Sequence, residues 1–154
     1  MKKFVVVLLA LMLMFTMAAC GEKDTTPVGD TMTLEQIMPE ILKGVELPMV
    51  MDMPLDAENF EFFSFVPYAE GLTGLASEAA ISSIAHSVVL VRAADEATAA
   101  KVAAEMDANK DPRKWCCVEA EKAEVIVNGS TILLVMSSTD AATAIANNFN
   151  ALWK

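Results

Sequence analysis

The chain has 154 residues, of which 55% are hydrophobic, and its 21 acidic residues against 11 basic ones give a formal charge of −10 at pH 7. Such a charge repels phosphate backbones and anionic headgroups, so we do not expect nucleic acid or an anionic lipid surface as a ligand. Cationic partners and metal ions remain open, although acidity is also a general means of keeping an exported domain soluble.

The first 19 residues have the three parts of a secretory signal peptide. Lys2 and Lys3 provide a positive start, residues 4–17 are apolar except for one threonine, and two alanines precede Cys20. The apolar run has 14 residues, whereas a helix needs about 20 to cross the hydrocarbon core of a membrane. We therefore expect residues 1–19 to be cleaved rather than to remain as a membrane span. The remaining 135 residues would carry a formal charge of −12.

Met17-Ala18-Ala19-Cys20 resembles the lipobox of bacterial lipoproteins, with methionine where leucine is usual. Lipid addition needs a thiol at the cleavage point, and the two chains of a diacylglycerol anchor a protein stably where one chain does not. Cys20 is therefore the predicted lipidation site of an extracytoplasmic, membrane-anchored domain. An ordinary signal peptide followed by a chance cysteine is the alternative.

The next part of the chain begins with a predicted tether and a predicted helix. Residues 20–32 contain Gly, Pro, Thr and charged residues without periodicity, which predicts a flexible tether behind the lipidated cysteine. Thr33 and Gln36 then fit a capping box, and apolar residues follow at helical spacing. Pro39 lies inside this pattern, so we expect a kinked or broken helix.

Two neighbouring segments are rich in proline, methionine and aromatic residues. Residues 47–56 hold two prolines and three methionines and predict an irregular connection. Residues 59–68 concentrate four of the seven phenylalanines and the only tyrosine. This cluster is either a hydrophobic docking patch or a set of aromatic side chains that cover one end of the core. We favour the core, because aromatic residues bury large areas.

Two strands and a helix are predicted in the middle of the domain. Residues 84–93 are rich in β-branched residues and predict a strand, with a weaker pairing strand at 74–82. Asp95 is the predicted cap of a helix over residues 96–108. The inner stripe of this helix is rich in alanine, which allows close packing on a sheet, and it consists of Ala99, Val102, Ala103 and Met106.

The last part of the chain predicts a hairpin and a final helix. Asn128-Gly129 separates β-branched runs at 122–127 and 131–136, and this dipeptide favours a tight turn with positive φ at both positions. Because the second run is apolar without alternation, its strand should be buried on both faces. Ser138 can cap a last helix, whose inner face is formed by Ala142, Ile145, Phe149 and Leu152.

The order helix, two strands, helix, hairpin, helix predicts an α+β fold. We expect a single domain, residues 33–154, in which helices cover a small mixed or antiparallel sheet. If the strands at 84–93 and 122–127 are parallel, their connection through the helix should be right-handed.

Residues 111–118, DPRKWCCV, followed by Glu121-Lys122 and the apolar residues 132–136, resemble a bacterial lipoprotein family of unknown function, numbered 4358. Two upstream segments, residues 59–62 and 82–88, are also similar, so the likeness covers nearly all of the predicted domain. The resemblance implies a one-domain lipoprotein on the outer face of the cytoplasmic membrane. It implies no activity and no site residue.

Cys116 and Cys117 are the only thiols left once Cys20 carries lipid. Adjacent Cα atoms are about 3.8 Å apart across a trans peptide, below the roughly 4.4–6.8 Å of ordinary disulfides, so a bond between the two would be strained. On an extended segment their side chains would also point to opposite faces. We expect buried free thiols. The alternatives are a strained redox-active pair, an intermolecular disulfide and a metal site.

No catalytic, cofactor-binding or metal-binding residue is assigned. His86 is the only histidine and no Cys-x-x-Cys is present, so structural zinc is not predicted. We expect His86 to occupy a polar edge position or to be a satisfied core histidine rather than a catalytic base. Ser82-Ser83 lies near it but lacks a nucleophile elbow. Phosphate-binding, metalloprotease and calcium-loop motifs are absent from the sequence.

The sequence thus predicts a non-enzymatic module that binds a ligand or an envelope protein partner, anchored by lipid on Cys20. One alternative is a small redox or hydrolytic enzyme of the cell envelope that uses Cys116 and Cys117 or His86. A second alternative is a structural subunit of a larger envelope assembly.

Overall fold

The computed structural model describes residues 26–154 and shows an α+β domain, as predicted. The helices are α1 (Val28–Thr31), α2 (Leu34–Leu42), α3 (Phe60–Ser64), α4 (Glu96–Asn109) and α5 (Thr139–Ala151). The strands are β1 (Val50–Leu55), β2 (Thr73–Ala79), β3 (Ser87–Arg92), β4 (Lys122–Asn128) and β5 (Thr131–Ser137). The predicted signal peptide and Cys20 lie outside the described residues.

All five strands form one antiparallel sheet in the order β1-β2-β3-β5-β4. Of the two predicted sheet types, the antiparallel one is therefore present. Because β3 and β4 are both antiparallel to β5, they run in the same direction with β5 between them. β1 and β4 are the edges of the sheet.

Helices cover both faces of the sheet, so its central strands are buried on both sides. Every residue of β5 is buried, which confirms the prediction made from its uninterrupted apolar sequence. One face of the sheet packs against α3 and α4, and the other packs against α2 and α5. Each fully buried Val, Leu, Ile or Met side chain contributes about 1.5–3 kcal/mol to folding, so these two layers supply most of the stability.

Helix α2 continues through Pro39 to Leu42, so the expectation of a broken helix is wrong. At its start, the backbone N–H of Thr33 donates to Oε1 of Gln36 at 2.9 Å, as the capping box predicts. The proline lies on the exposed side, while four apolar residues on the opposite side are buried: Leu34, Ile37, Met38 and Ile41. Burial of this face outweighs the one backbone hydrogen bond that proline removes, because tertiary packing provides most of the stability of a helix.

The segment predicted as an irregular connection, residues 47–56, contains strand β1, so this prediction is wrong. Pro54 lies within the strand and pairs in register with Leu75 of β2. Proline is compatible with a strand at the edge of a sheet, because its missing N–H can face away from the neighbouring strand. The proline that predicted a loop is therefore compatible with a strand at the edge of the sheet.

The predicted caps of the two long helices are confirmed. Asp95 accepts a hydrogen bond at 2.7 Å from the backbone N–H of Thr98, and α4 ends one residue later than predicted. Ser138 accepts from the backbone N–H of Ala141 at 3.4 Å at the start of α5. Each cap satisfies a backbone donor that has no partner inside the helix.

The predicted hairpin is present, but its turn differs from the expected one. Asn128 belongs to β4 and pairs with Thr131, so the two turn residues are Gly129 and Ser130. Only Gly129 has a positive φ, 55°, and the expectation of positive φ at both Asn128 and Gly129 is wrong. Glycine at the first turn position fits a type II′ turn, which matches the twist of the two strands as well as the predicted turn does.

The described part of the predicted tether is folded against the domain. Gly29 donates its backbone N–H to the carbonyl of Leu152 at 2.9 Å, and the indole N–H of Trp153 donates to Asp30 at 2.8 Å. The guanidinium group of Arg92 donates to the carbonyl oxygens of Met32 at 2.7 Å and Gly29 at 3.2 Å. Residues 28–32 therefore belong to the domain rather than to a flexible linker.

Within residues 26–154, no helix is both long and apolar enough to cross a membrane. The longest of these helices, α4, has 14 residues.

Candidate functional site

A cleft of about 340 Å³ lies at the β1 edge of the sheet, where β1, the end of β2, α3 and the loop before β4 meet. We call it the β1 cleft. Its walls are formed by Met51, Met53, Phe62, Phe63 and Trp115, and its remaining lining residues are Glu78, Ala79, Ala80, Ser82, Lys114 and Cys116. Ligand sites commonly have volumes of about 300–1,000 Å³ with apolar walls and few polar groups, and this cleft has both properties.

An almost buried ion pair forms the polar part of the β1 cleft. The ammonium Nζ of Lys114 donates to Oε1 of Glu78 at 3.1 Å and to Oγ of Ser87 at 2.9 Å. Ser87 in turn donates its hydroxyl hydrogen to the same Oε1 atom. The side chains of Lys114 and Glu78 are only 8% and 11% exposed. Removing one partner of such a pair leaves an uncompensated buried charge, so the three groups act as a unit.

Aromatic rings surround the ammonium group of Lys114. Its Nζ lies between 5.3 and 6.0 Å from four ring centroids, those of Phe62, Phe63, Phe65 and Trp115. Rings at this distance attract a cation through their negative faces. Burial lowers the pKa of Lys114, whereas the charge and hydrogen bond of Glu78 act in the opposite direction. The ammonium group is held by Glu78 and Ser87.

The exposed rim of the β1 cleft is apolar. The Phe62 side chain is 66% exposed and that of Met51 is 53% exposed. Met49 and Ile81 are also exposed. Both adjoin Ala80, a lining residue of the cleft, since the carbonyl of Met49 accepts a hydrogen bond from the backbone N–H of Ala80 and Ile81 follows it in the chain. Large apolar side chains at the mouth of a cleft are a common mark of a binding surface.

The aromatic segment 59–68 divides between core and rim. Phe60 is fully buried, as the favoured prediction requires, and it packs edge-on against Tyr68. Phe62 instead lies at the rim and contacts Phe63 edge-on. The core prediction is therefore confirmed for Phe60 and wrong for Phe62, because a short helix places neighbouring residues on different sides.

The two adjacent cysteines are exposed free thiols, so the expectation of buried thiols is wrong. Their Sγ atoms are 3.4 Å apart. Cys117 has a φ of 72°, and the turn that this produces brings both side chains to one side of the chain. The prediction assumed that this segment leads straight into a strand, whereas the structure has an irregular loop there.

His86 is a buried residue just before the central strand β3, so the predicted polar edge position is wrong. Its Nδ1 lies 2.9 Å from Oγ of Ser137, while Nε2 has no hydrogen-bond partner among residues 26–154. The prediction of a core histidine with satisfied hydrogen bonds is therefore confirmed for Nδ1 only. Burial and the charge of Lys114 lower the pKa of His86. The ring is outside the lining of the β1 cleft, whereas Ser82 lies within it.

Sequence reasoning missed the ion pair. Glu78 lies inside a predicted strand of small and apolar residues, and that unusual position was its only signal. Lys114 is 36 positions away and Ser87 is nine positions away. They meet because Glu78 of β2 is paired with Ser87 of β3. The loop before β4, which contains Lys114, folds over this end of the two strands.

The described residues contain no group of three or more His, Cys, Asp or Glu side chains arranged to hold a metal ion. Three other depressions among residues 26–154 hold no buried ion pair: two have no basic residue in their lining, and the Arg113–Glu119 pair in the third is exposed. The β1 cleft is therefore the candidate site.

No protein-family model matches the chain, and comparisons with curated proteins and with solved structures give no match either. The resemblance of residues 111–118 to a lipoprotein family stays a prediction.

Proposed function

We propose that this protein is an extracytoplasmic lipoprotein, anchored through Cys20 to the outer face of the cytoplasmic membrane, and that it binds a ligand or an envelope protein partner without catalysing a reaction. The observation that carries the binding role is the β1 cleft, in which exposed apolar side chains surround an almost buried Glu78–Lys114 pair. The lipobox-like sequence before Cys20 supports the anchor.

The chemistry of the β1 cleft favours an apolar ligand that carries an amide-like group. The walls of Met51, Phe62 and Trp115 suit an apolar body. Both hydrogen bonds to Glu78 go to Oε1, and Lys114 uses two of the three donors of an ammonium group. The second carboxylate oxygen of Glu78 can therefore accept a hydrogen bond from a ligand, and the third N–H of Lys114 can donate one. A peptide group both donates and accepts, so it can meet both residues. An exposed apolar segment of a partner protein has this chemistry.

The point at which the chain enters the domain supports a partner from the aqueous side. The chain enters the domain at the Arg92 end of β3, where residues 29–32 are held. The ion pair lies at the Ser87 end of the same strand. Five steps of about 3.4 Å separate the two ends, which is about 17 Å. The described chain thus enters the domain at one end of the sheet, while the β1 cleft opens at the other.

Site-specific photo-cross-linking in intact cells tests this function. A photoreactive phenylalanine analogue replaces Phe62 at the rim of the β1 cleft in the full lipidated chain. A matched chain carries the analogue at Glu105, which is exposed on α4. We expect an adduct of defined mass from position 62 alone, and its loss when Trp115→Ala is added. Identical adduct patterns from both positions would disprove binding at the cleft.

A further inference from the structure

Cys116 and Cys117 form a close pair of accessible sulfurs at the edge of the β1 cleft. Their Sγ atoms are 3.4 Å apart and both residues are exposed. In extended backbone, neighbouring side chains point to opposite sides, so this contact requires a turn. The positive φ of Cys117, 72°, provides it. A residue other than glycine adopts such a φ rarely, and where it does, the surrounding structure holds it there.

The two thiols face different surroundings. Cys116 belongs to the lining of the β1 cleft. Cys117 lines a separate shallow depression together with Arg113 and Glu119. Cys116 therefore borders the β1 cleft, whereas Cys117 is not among the residues that line it.

We propose that Cys116 and Cys117 are a dithiol redox site that closes into a disulfide between neighbouring residues by exchange with an external organic disulfide. This role goes beyond ligand binding and does not depend on it. It requires accessible sulfurs, and it requires the fold to hold them in contact. Both conditions are met, because the sulfurs need to approach by only about 1.4 Å to reach the bond length of about 2.05 Å.

The exchange has two steps. The thiolate of Cys116 attacks one sulfur of the external disulfide RS–SR, whose S–S bond breaks and releases RS⁻. The thiolate of Cys117 then attacks the sulfur of Cys116 in the mixed disulfide, and the second RS⁻ leaves. Two electrons pass from the cysteine pair to the external disulfide. The two thiol protons end on the two released RSH molecules.

The bond that forms would be easily reduced again. Adjacent Cα atoms are about 3.8 Å apart across a trans peptide, closer than the roughly 4.4 Å at which ordinary disulfides begin. Strained, exposed disulfides are the labile ones, typical of redox sensing and catalysis rather than of structural support. Because the pair directly follows Lys114 and Trp115, its closure would also act on one wall of the β1 cleft.

Stoichiometric reaction with an aromatic disulfide tests the proposal. The full chain carries Cys20→Ser, so that Cys116 and Cys117 are its only thiols, and it receives one equivalent of dithiobis-nitrobenzoate. We expect two coloured thiolates per reagent molecule and a protein mass lower by two hydrogens, without an adduct. Further substitution by Cys116→Ser or Cys117→Ser should halve the released thiolate and leave one thionitrobenzoate, bound as a mixed disulfide, on the remaining cysteine.

Unfolding the same chain in guanidinium chloride is the control. Without the turn at Cys117, we expect one thiolate per reagent molecule and a stable adduct. The proposal is overturned if the folded chain keeps an adduct or does not react, or if the unfolded chain closes the ring equally fast. These readouts come from the unsubstituted pair, so they remain decisive if a single-cysteine variant fails to fold.

Discussion

Lys114 joins more parts of the molecule than any other charged residue near the β1 cleft. Its ammonium group contacts Glu78 and Ser87 on two strands, and four aromatic rings lie around it. Since Lys114 and Glu78 are both almost fully buried, each charge depends on the other. The charge of Lys114 also acts on the neighbouring His86, whose pKa it helps to lower.

Replacing Lys114 alone should strongly destabilise the domain. Lys114→Met leaves Glu78 as a buried charge without a partner, and breaking such a pair typically costs about 3–5 kcal/mol. Adding Glu78→Gln should restore much of the loss, because the buried charge is then gone. Urea unfolding measures both effects. Lys43→Met is the matched control, since the Lys43 side chain is 76% exposed, and a similar loss there would refute the argument.

His86 should make stability depend on pH. Its pKa is lowered from 6.5 by burial and by Lys114, so as the pH falls the unfolded chain binds the proton before the folded protein does. The free energy of unfolding should therefore decrease as the pH drops below 6.5, by at most about 1.4 kcal/mol per pH unit. Above that pH, the stabilisation by the neutral ring is fully present.

Comparison with His86→Asn isolates this effect, because the chain has no other histidine. Asparagine can still form a hydrogen bond with Ser137 but does not titrate. Urea unfolding at several pH values between about 5 and 8, where histidine titrates, should show a steeper decline for the unsubstituted protein. Parallel curves would show that His86 takes up no proton on unfolding.

Among the helices and strands, local sequence patterns predicted the structure correctly where the packing of neighbouring elements favours the same structure. The caps at Asp95 and Ser138 and the doubly buried strand β5 are examples. The failures at Pro39 and Pro54 both arise from the position of the proline. Pro54 lies in the edge strand β1, where its missing donor can face away from the sheet, and Pro39 lies on the exposed side of α2, whose packed opposite face outweighs one lost hydrogen bond. Only the arrangement of neighbouring elements reveals which side is outer.

The short helix α1 depends on a close approach that only glycine permits. A Cβ atom on Gly29 would lie 2.5 to 2.6 Å from ring atoms of Trp153. Gly29→Ala should therefore destabilise the protein, since overpacking costs about 1–3 kcal/mol, whereas the gain in helix propensity is at most about 1 kcal/mol. In a Trp153→Ala background the same change should become neutral or stabilising. Urea unfolding of the four chains measures this reversal, and equal effects in both backgrounds would contradict the contact.

In the whole molecule, the folded residues 28–32 determine where the chain enters the domain. Arg92 and Trp153 hold this segment at one end of the sheet, and the β1 cleft lies at the other. The acidic composition has a separate effect, because the domain is repelled by the anionic surface to which it would be tethered. Both features favour presentation of the β1 cleft to the aqueous phase.

Replacing the predicted anchor residue tests the location. Cys20→Ser should abolish incorporation of labelled fatty acid in cells and leave uncleaved precursor or secreted protein, because serine offers no thiol for the diacylglycerol. Metabolic labelling followed by membrane fractionation measures this. Cys116→Ser is the control and should keep both the label and the membrane location. A labelled, membrane-bound Cys20→Ser chain would refute the lipoprotein prediction.

Sequence alone determined the features that depend on residues close together in the chain. The helix caps, the hairpin and the α+β class are all visible in local patterns, because propensity, capping and alternation act over a few residues. The lipobox-like motif at Cys20 is equally local, and it stays a prediction. Tertiary structure alone decided the β1 cleft, since Glu78 and Lys114 meet across 36 positions. It also decided the exposure and contact of the two cysteines, because a single positive φ at Cys117 overrides the direction that an extended chain would give them.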